Sequence, residues 1–221
     1  MERYVRNHSS ISHKEQSQIN NLNVAIIGLG GLGGYVLENL LRIGVKKFIL
    51  IDKGKFEESN LNRQVLSTEE NIGEYKTLVA EKRAISIEKD VVLKTYSTKL
   101  DKESINLIKE VDIVFDCLDS IESRFDLEYI CEKLELPLVH GAIRGYYGQV
   151  ALSREDNRIF KKIYKDNTKE NESLGNLPMT CMITASIQVN LSLKYLFDNY
   201  RENELILIDS NEMDIEKIKI L

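Results

Sequence analysis

The sequence predicts an α/β fold: a Rossmann-like, mainly parallel sheet with helices on both faces and antiparallel strands added in the C-terminal part. Three observations predict it. Short apolar runs alternate with helical segments along most of the chain. The first run opens directly into Gly28-Leu29-Gly30-Gly31-Leu32-Gly33. Further strand-like runs follow one long apolar helical stretch near the end. Strands joined by helical crossovers pair in parallel and are covered on both faces.

The elements follow in order. Ser12-His13-Lys14-Glu15 reads as a capping box, so a helix is expected from there to about Asn21. Asn23 to Ile27 is a short apolar strand that stops at the glycine cluster, and Leu32 to Ile43 is a helix ended by Gly44. Lys47 to Ile51 is a second buried strand, followed by a helix carrying Leu78, Val79, Ala84 and Ile87 and a strand near Val91 to Tyr96. Asp101 to Glu110 reads as helix and Asp112 to Phe115 as strand, ending in Asp116-Cys117-Leu118-Asp119. Ile121 to Leu134 is helical and Leu138 to His140 extended. Tyr147 to Leu152 adds a strand, Thr180 to Phe197 a long helix, and Leu205 to Ile208 and Ile215 to Leu221 the closing strands. Arg154 to Asn176 is rich in Lys, Asp, Asn and Glu, the composition of a solvated surface loop or of a segment that covers a site.

Composition bounds the function. With 221 residues, the chain is expected to form one domain over 1–221, with an N-terminal helical arm over about 1–22 and a crossover loop over about 154–176. A chain of this size buries roughly 70% of its unfolded surface. Hydrophobic residues at 43% and charged residues at 29% exclude a disordered chain. A net charge of −5 leaves no basic excess to hold a polynucleotide, so no nucleic-acid partner is expected. The apolar stretch from Val24 to Leu37 holds five glycines and is too short to span a bilayer, which takes about 20 apolar residues. The N-terminus lacks an apolar signal region, and Cys117, Cys131 and Cys181 form no CxxC pair. The expectation is a cytoplasmic protein without a membrane segment.

The glycine loop follows a strand and opens a helix, the context in which glycines let phosphates approach backbone N–H groups at a positive helix end. Asp52 ends the second strand 19 residues after Gly33, where a carboxylate can accept both ribose hydroxyls. The loop alone does not name the nucleotide. Ser59-Asn60-Leu61-Asn62-Arg63-Gln64 comes next, with Lys76 shortly after Gly73. A dinucleotide enzyme needs only one diphosphate held by backbone and helix end. Two further cations, Arg63 and Lys76, suit the more anionic triphosphate of ATP.

These motifs, with Asp116-Cys117-Leu118-Asp119 and Arg124, resemble the ThiF/MoeB/HesA family, the bacterial relatives of ubiquitin-activating enzymes. The resemblance runs from Arg3-Tyr4-Val5-Arg6 to the final strands. It implies adenylation of the C-terminal Gly-Gly carboxylate of a small ubiquitin-like sulfur-carrier protein, for thiamine or molybdenum-cofactor type sulfur transfer. By position it implies that Gly28, Gly30, Gly31, Gly33, Asp52, Asn60, Arg63, Gln64 and Lys76 bind ATP, with Asp52 on the ribose and Asn60, Arg63 and Lys76 on the phosphates. Asp119 would position magnesium, and Arg6 would reach the phosphates of the other subunit's site in a homodimer. Arg6, Arg63, Lys76 and Asp119 are then the catalytic set.

The nucleophile in that chemistry is a carboxylate already ionised at pH 7, so no general base is required. His8, His13 and His140 are scattered and read as solvated or satisfied histidines. Three departures from the family pattern stand out. The two CxxC pairs that bind structural zinc in many relatives are absent, so no zinc is expected. Ser120 stands where the family usually has Asn. The crossover loop has no cysteine, and Cys181 aligns with the start of the long helix, where a buried structural thiol is expected. Two alternatives remain: a related adenylating enzyme acting on tRNA or a peptide, and a non-catalytic nucleotide-binding partner subunit. The acidic balance weighs against tRNA, and retention of Asp52, Arg63, Lys76 and Asp119 against the inactive subunit.

Overall fold

The computed structural model describes residues 2–154, 157–164 and 174–220. After a 3₁₀ turn over Glu2–Tyr4 come α1 (His13–Asn21), β1 (Asn23–Ile27), α2 (Gly33–Ile43), β2 (Lys47–Ile51), α3 (Lys76–Ile87) and β3 (Val92–Tyr96). Then follow α4 (Ile105–Ile108), β4 (Ile113–Asp116), α5 (Ile121–Lys133), β5 (Leu138–Arg144) and β6 (Tyr147–Ser153). The chain closes with α6 (Phe160–Ile163), α7 (Pro178–Leu196), β7 (Glu204–Asp209) and β8 (Asp214–Lys219).

All eight strands form one sheet in the order β3-β2-β1-β4-β5-β6-β7-β8. The first five are parallel, and β6, β7 and β8 are antiparallel additions. The chain leaves β1 towards β2 on one side and returns to β4 on the other, so a switch point lies between β1 and β4. Crevices at such points, beyond the carboxyl ends of the strands, are where open α/β sheets bind ligands. The register puts the relevant ends level: Ile27 lies opposite Ile51 on one side and Asp116 on the other.

Alternation along the strands fills both faces. Val24, Ile26, Phe48, Leu50 and Phe115 point to the layer that α2, α3 and α7 cover. Ala25, Ile27, Ile49, Ile51 and Val114 point the other way, against Ile108, Leu127, Ile130 and Cys131. Ser12 caps α1 with the expected box, its Oγ accepting from the Glu15 N–H while the Glu15 carboxylate accepts from the Ser12 N–H. Helix α7 lies directly on β5 and β6, where Gly148 makes room for it. A Cβ at Gly148 would sit 2.2 Å from Thr184 Oγ1.

Three expectations change. Asp101 to Glu110 is a 3₁₀ turn over Lys102–Ser104 and a single helical turn, α4, rather than one helix. The strand read as ending at His140 runs on to Arg144, because β6 pairs with it antiparallel over seven residues. The segment from Arg154 to Asn176 is not wholly a solvated loop: Ile159 and Phe160 are buried in the core. The Glu128 carboxylate draws them in, one oxygen accepting from the Ile159 N–H (2.9 Å), the Phe160 N–H (3.2 Å) and Ser153 Oγ (2.6 Å). The rest of that expected loop, residues 155–156 and 165–173, lies outside the described residues.

The fit between α7 and the sheet gives a stability prediction. Gly148→Val should destabilise the protein by about 1–3 kcal/mol through overpacking against Thr184. Urea titration followed by circular dichroism should show the lower midpoint.

Candidate nucleotide site

A cleft of about 470 Å³ opens beyond the carboxyl ends of β1, β2 and β4. Its floor is the glycine turn. Gly28 has φ +93°, and a Cβ there would meet the Cys117 carbonyl oxygen at 2.5 Å, so the two loops can run side by side only with glycine. Gly33 serves differently: its Cα faces the Gly28 carbonyl so closely that a Cβ would lie 1.9 Å from that oxygen. This lets α2 start directly behind the loop.

Asp52 ties the glycine turn to the end of β2. Its Oδ2 accepts from the Leu29 N–H and its Oδ1 from the Gly54 N–H, both at 2.6 Å. Each oxygen keeps further acceptor capacity for a ligand. Arg63 reaches the wall from the turn after the short 3₁₀ helix Glu58–Asn60, with Nη1 donating to the Ser59 carbonyl (2.9 Å) and Asn62 Oδ1 (2.8 Å). Gln64 is buried beside it, and among the described residues its Oε1 has no hydrogen-bond partner. Lys76 enters from the first turn of α3, its stem against Gly54 and its ammonium 5.7 Å from the Phe56 ring centroid. It makes no ion pair among the described residues. Lys53 and Lys99 line the cleft as well. A cleft with a glycine floor and several cations fits a polyanionic nucleotide.

The opposite wall is the turn after β4. Asp119 is exposed there and makes no hydrogen bond or ion pair among the described residues. Ser120 Oγ is engaged in capping α5, accepting from the Ser123 N–H at 3.3 Å and donating to Ser123 Oγ at 2.9 Å. Beneath the turn lies a buried polar network. Asp116 Oδ1 accepts from the Leu118 N–H (3.0 Å), and its Oδ2 pairs with His140 Nδ1 (2.7 Å). With Nδ1–H given to the carboxylate, His140 Nε2 is the acceptor and faces the Tyr164 hydroxyl (3.1 Å) and Gln149 Nε2 (3.0 Å). Arg124 donates from Nη1 to Tyr164 Oη and from Nη2 to the Leu118 carbonyl, both at 2.7 Å. Burial pushes the His140 pKa down, against the pull of Asp116, and pushes the Tyr164 phenol up to about 12.

Of the residues singled out in the sequence, Gly28, Gly30, Gly31, Asp52, Arg63, Gln64, Lys76 and Asp119 all line this cleft. Gly33 and Asn60 are not among the lining residues. Asn60 is buried, its Oδ1 accepting from the Glu57 N–H at 3.2 Å, so it shapes the turn that presents Arg63. Arg6 is exposed and is not on the cleft wall of its own chain. Cys181 is buried in the first turns of α7 beneath Gly31, and burial raises its thiol to about 11, an inert state. The Asp116–His140 pair and its link to Tyr164 were not visible in the sequence. His140 is the satisfied core histidine expected, but it has a specific carboxylate partner.

Fold and cleft define a class: an α/β protein with a candidate nucleotide site at the switch point of a mixed sheet. The chain belongs to the ThiF family, which it matches over residues 3–220. It is 30% identical over 219 residues to the molybdopterin-synthase adenylyltransferase of Haemophilus influenzae, covering 96% of this chain and 90% of that one. It is 36% identical over 138 residues to the sulfur carrier protein adenylyltransferase of Thermus thermophilus. That match covers 62% of this chain and about half, 51%, of the Thermus protein. Among solved structures, E. coli MccB with ATP superposes at a TM-score of 0.80 with 21% identity, over 99% of this chain and 71% of that one, a likeness of fold. The named Haemophilus and Thermus relatives are adenylyltransferases, and the chain spans about half the length of the Thermus protein. Among the described residues no helix is long and apolar enough to cross a membrane.

The buried histidine gives the site a pH signature. His140 is faced by Asp116, Arg124, Gln149 and Tyr164, with the Phe160 ring packed against it. Its folded pKa lies below the unfolded value of about 6.5. Below that value the unfolded chain takes up the proton first, so stability falls with pH until the folded pKa is passed. Thermal melts from pH 7.5 to 5 should show this loss, and His140→Gln should make the slope shallower than in the wild type.

Proposed function

We propose that the chain adenylates the C-terminal Gly-Gly carboxylate of a small ubiquitin-like sulfur-carrier protein, using ATP and magnesium. The observation that carries the reading is the meeting of Asp52, Arg63, Lys76 and Asp119 on one cleft at the switch point. The relatives named above, which act as sulfur-carrier and molybdopterin-synthase adenylyltransferases, support the substrate class. A second cavity of about 720 Å³ shares Asp119, Arg124, Ile143 and Asn176 with the nucleotide cleft. It offers an extended carrier tail a route to the α-phosphate.

In this reading a carboxylate oxygen of the carrier attacks the α-phosphorus of ATP. The bond from that phosphorus to the diphosphate oxygen breaks, leaving an acyl-adenylate and free diphosphate. No proton has to be removed from the nucleophile. Asp52 holds the ribose, and the glycine turn and the start of α2 receive phosphate oxygens. Arg63 and Lys76 face charge that builds up as diphosphate leaves, so they act chiefly on the transition state. Asp119 fits magnesium, which takes one or two carboxylates and completes its shell with phosphates and water. That ion would offset phosphate charge. The remaining rate advantage comes from alignment of carboxylate and phosphate.

Carriers ending in Gly-Gly, tested by ATP–pyrophosphate exchange, address the reading directly. Asp52→Ala should weaken ATP binding about ten- to hundredfold, the loss of one or two charge-assisted hydrogen bonds. Lys76→Ala or Arg63→Ala should lower exchange by about 10²–10³-fold. Calorimetry that finds tight NAD binding and none for ATP would overturn the assignment.

Arg6 has no place on its own cleft, which supports a homodimer in which it serves the partner's site. Mixing Arg6→Ala with Asp119→Ala chains should then restore activity. With random exchange half of the dimers are mixed, each with one intact site, so about a quarter of all sites recover. No recovery, or a fully active monomer, argues against the trans arrangement.

A further inference from the structure

We propose that Tyr164 is a positioning residue for the magnesium-binding end of the site, locking Arg124 and through it the backbone that carries Asp119. The proposal rests on the adenylation reading and adds to it a residue outside the phosphate-binding motifs.

Among the described residues Asp119 has no side-chain partner, so its position is set by its backbone. Leu118, immediately before it, is held on both sides: its N–H by Asp116 Oδ1 at 3.0 Å and its carbonyl by Arg124 Nη2 at 2.7 Å. Asp116 is tied through His140, and Arg124 through Nη1, to the same phenol oxygen of Tyr164. The hydroxyl donates to His140 Nε2 and accepts from Arg124 Nη1 and from Gln149 Nε2 at 2.9 Å. Both clamps on Leu118 therefore converge on one oxygen.

The placement of that oxygen is itself built. Tyr164 follows α6, which Glu128 anchors by accepting the N–H groups at its start. The Phe125 and Phe160 rings pack edge-on against the Tyr164 ring. The Arg124 guanidinium lies 5.6 Å from the ring centroid. Arg124 is buried, and its Nε has no hydrogen-bond partner among the described residues. A guanidinium so placed has little reserve: losing the Tyr164 acceptor leaves a second buried N–H unpaired. It then turns towards other acceptors, and the Leu118 carbonyl loses its donor.

The test is Tyr164→Phe in the full chain, which removes the oxygen and keeps the ring. In the nucleotide-free protein, hydrogen–deuterium exchange of the peptide containing Leu118 should quicken by about tenfold, because a turn that has lost its Arg124 clamp opens more often and frees the Leu118 N–H from Asp116 Oδ1. Peptides from α1 should be unchanged. In the exchange assay the magnesium concentration for half-maximal rate should rise by about tenfold, with ATP affinity measured without magnesium within about twofold of wild type. Unchanged Leu118 exchange together with unchanged magnesium dependence would overturn the proposal. So would faster hydrogen exchange throughout the chain, α1 included, which marks a structural role. A lower rate at unaltered magnesium dependence would also overturn it. If the wild type exchanges no pyrophosphate with any Gly-Gly carrier, the adenylation reading fails, and the Leu118 amide alone judges whether Tyr164 holds the turn.

Discussion

At the carboxyl edge of the parallel strands the ladder ends with Gly28 N–H on the Ile51 carbonyl, Asp52 N–H on the Tyr96 carbonyl and Cys117 N–H on the Ile27 carbonyl. The loop N–H groups beyond them have no strand to accept them. The site is organised around that deficit. Asp52 after β2 takes the amides of Leu29 and Gly54, and Asp116 at the end of β4 takes that of Leu118. At the ends of β2 and β4 a short acceptor side chain thus fixes the loop leaving its own strand, and Asp52 also fixes the glycine turn next door. Unpaired buried amides would cost each loop free energy comparable to a lost hydrogen bond. The carboxylates supply pairing and negative charge at the same positions.

The two aspartates then diverge. Asp52 stands at the cleft with acceptor capacity to spare. Asp116 is sealed from solvent and shares its charge with His140 and Arg124, the latter at 3.6 Å. A buried charge of this kind costs desolvation and is retained only with full hydrogen bonding. The network supplies all but one of the bonds: of the Arg124 guanidinium nitrogens, only Nε has no hydrogen-bond partner among the described residues. One carboxylate is available to a ligand, and the other is a foundation for the turn that carries Asp119.

Much of this was legible along the chain. Asn23–Ile27 and Lys47–Ile51 were bounded by glycine and aspartate and coincide with β1 and β2. The capping box at Ser12 is a local pattern and formed as read. The cleft-lining glycines, Asp52, Arg63, Lys76 and Asp119 sit in short motifs whose spacing carries their meaning. What stayed hidden was non-local. Asp116, His140, Gln149 and Tyr164 come from four elements, and nothing in their spacing says that they meet. Asn60 belonged to the same motif as Arg63, yet sequence adjacency could not say which of the two lines the cleft. Ile159 and Phe160 were lost in a polar stretch because their anchor, Glu128, lies about thirty residues upstream.

The antiparallel extension leaves β8 as the outer strand, with every residue from Asp214 to Lys219 exposed. An open edge of this kind is a template on which other chains can assemble. Its sequence, Asp-Ile-Glu-Lys-Ile-Lys, puts a charge on four of six positions, and the two isoleucines are flanked by charges on either side. A strand from another molecule docking there would have to match two negative charges followed by two positive ones, while burying lysine and glutamate beside its own backbone. The sheet therefore grows by three strands beyond its parallel core without gaining a surface prone to aggregation.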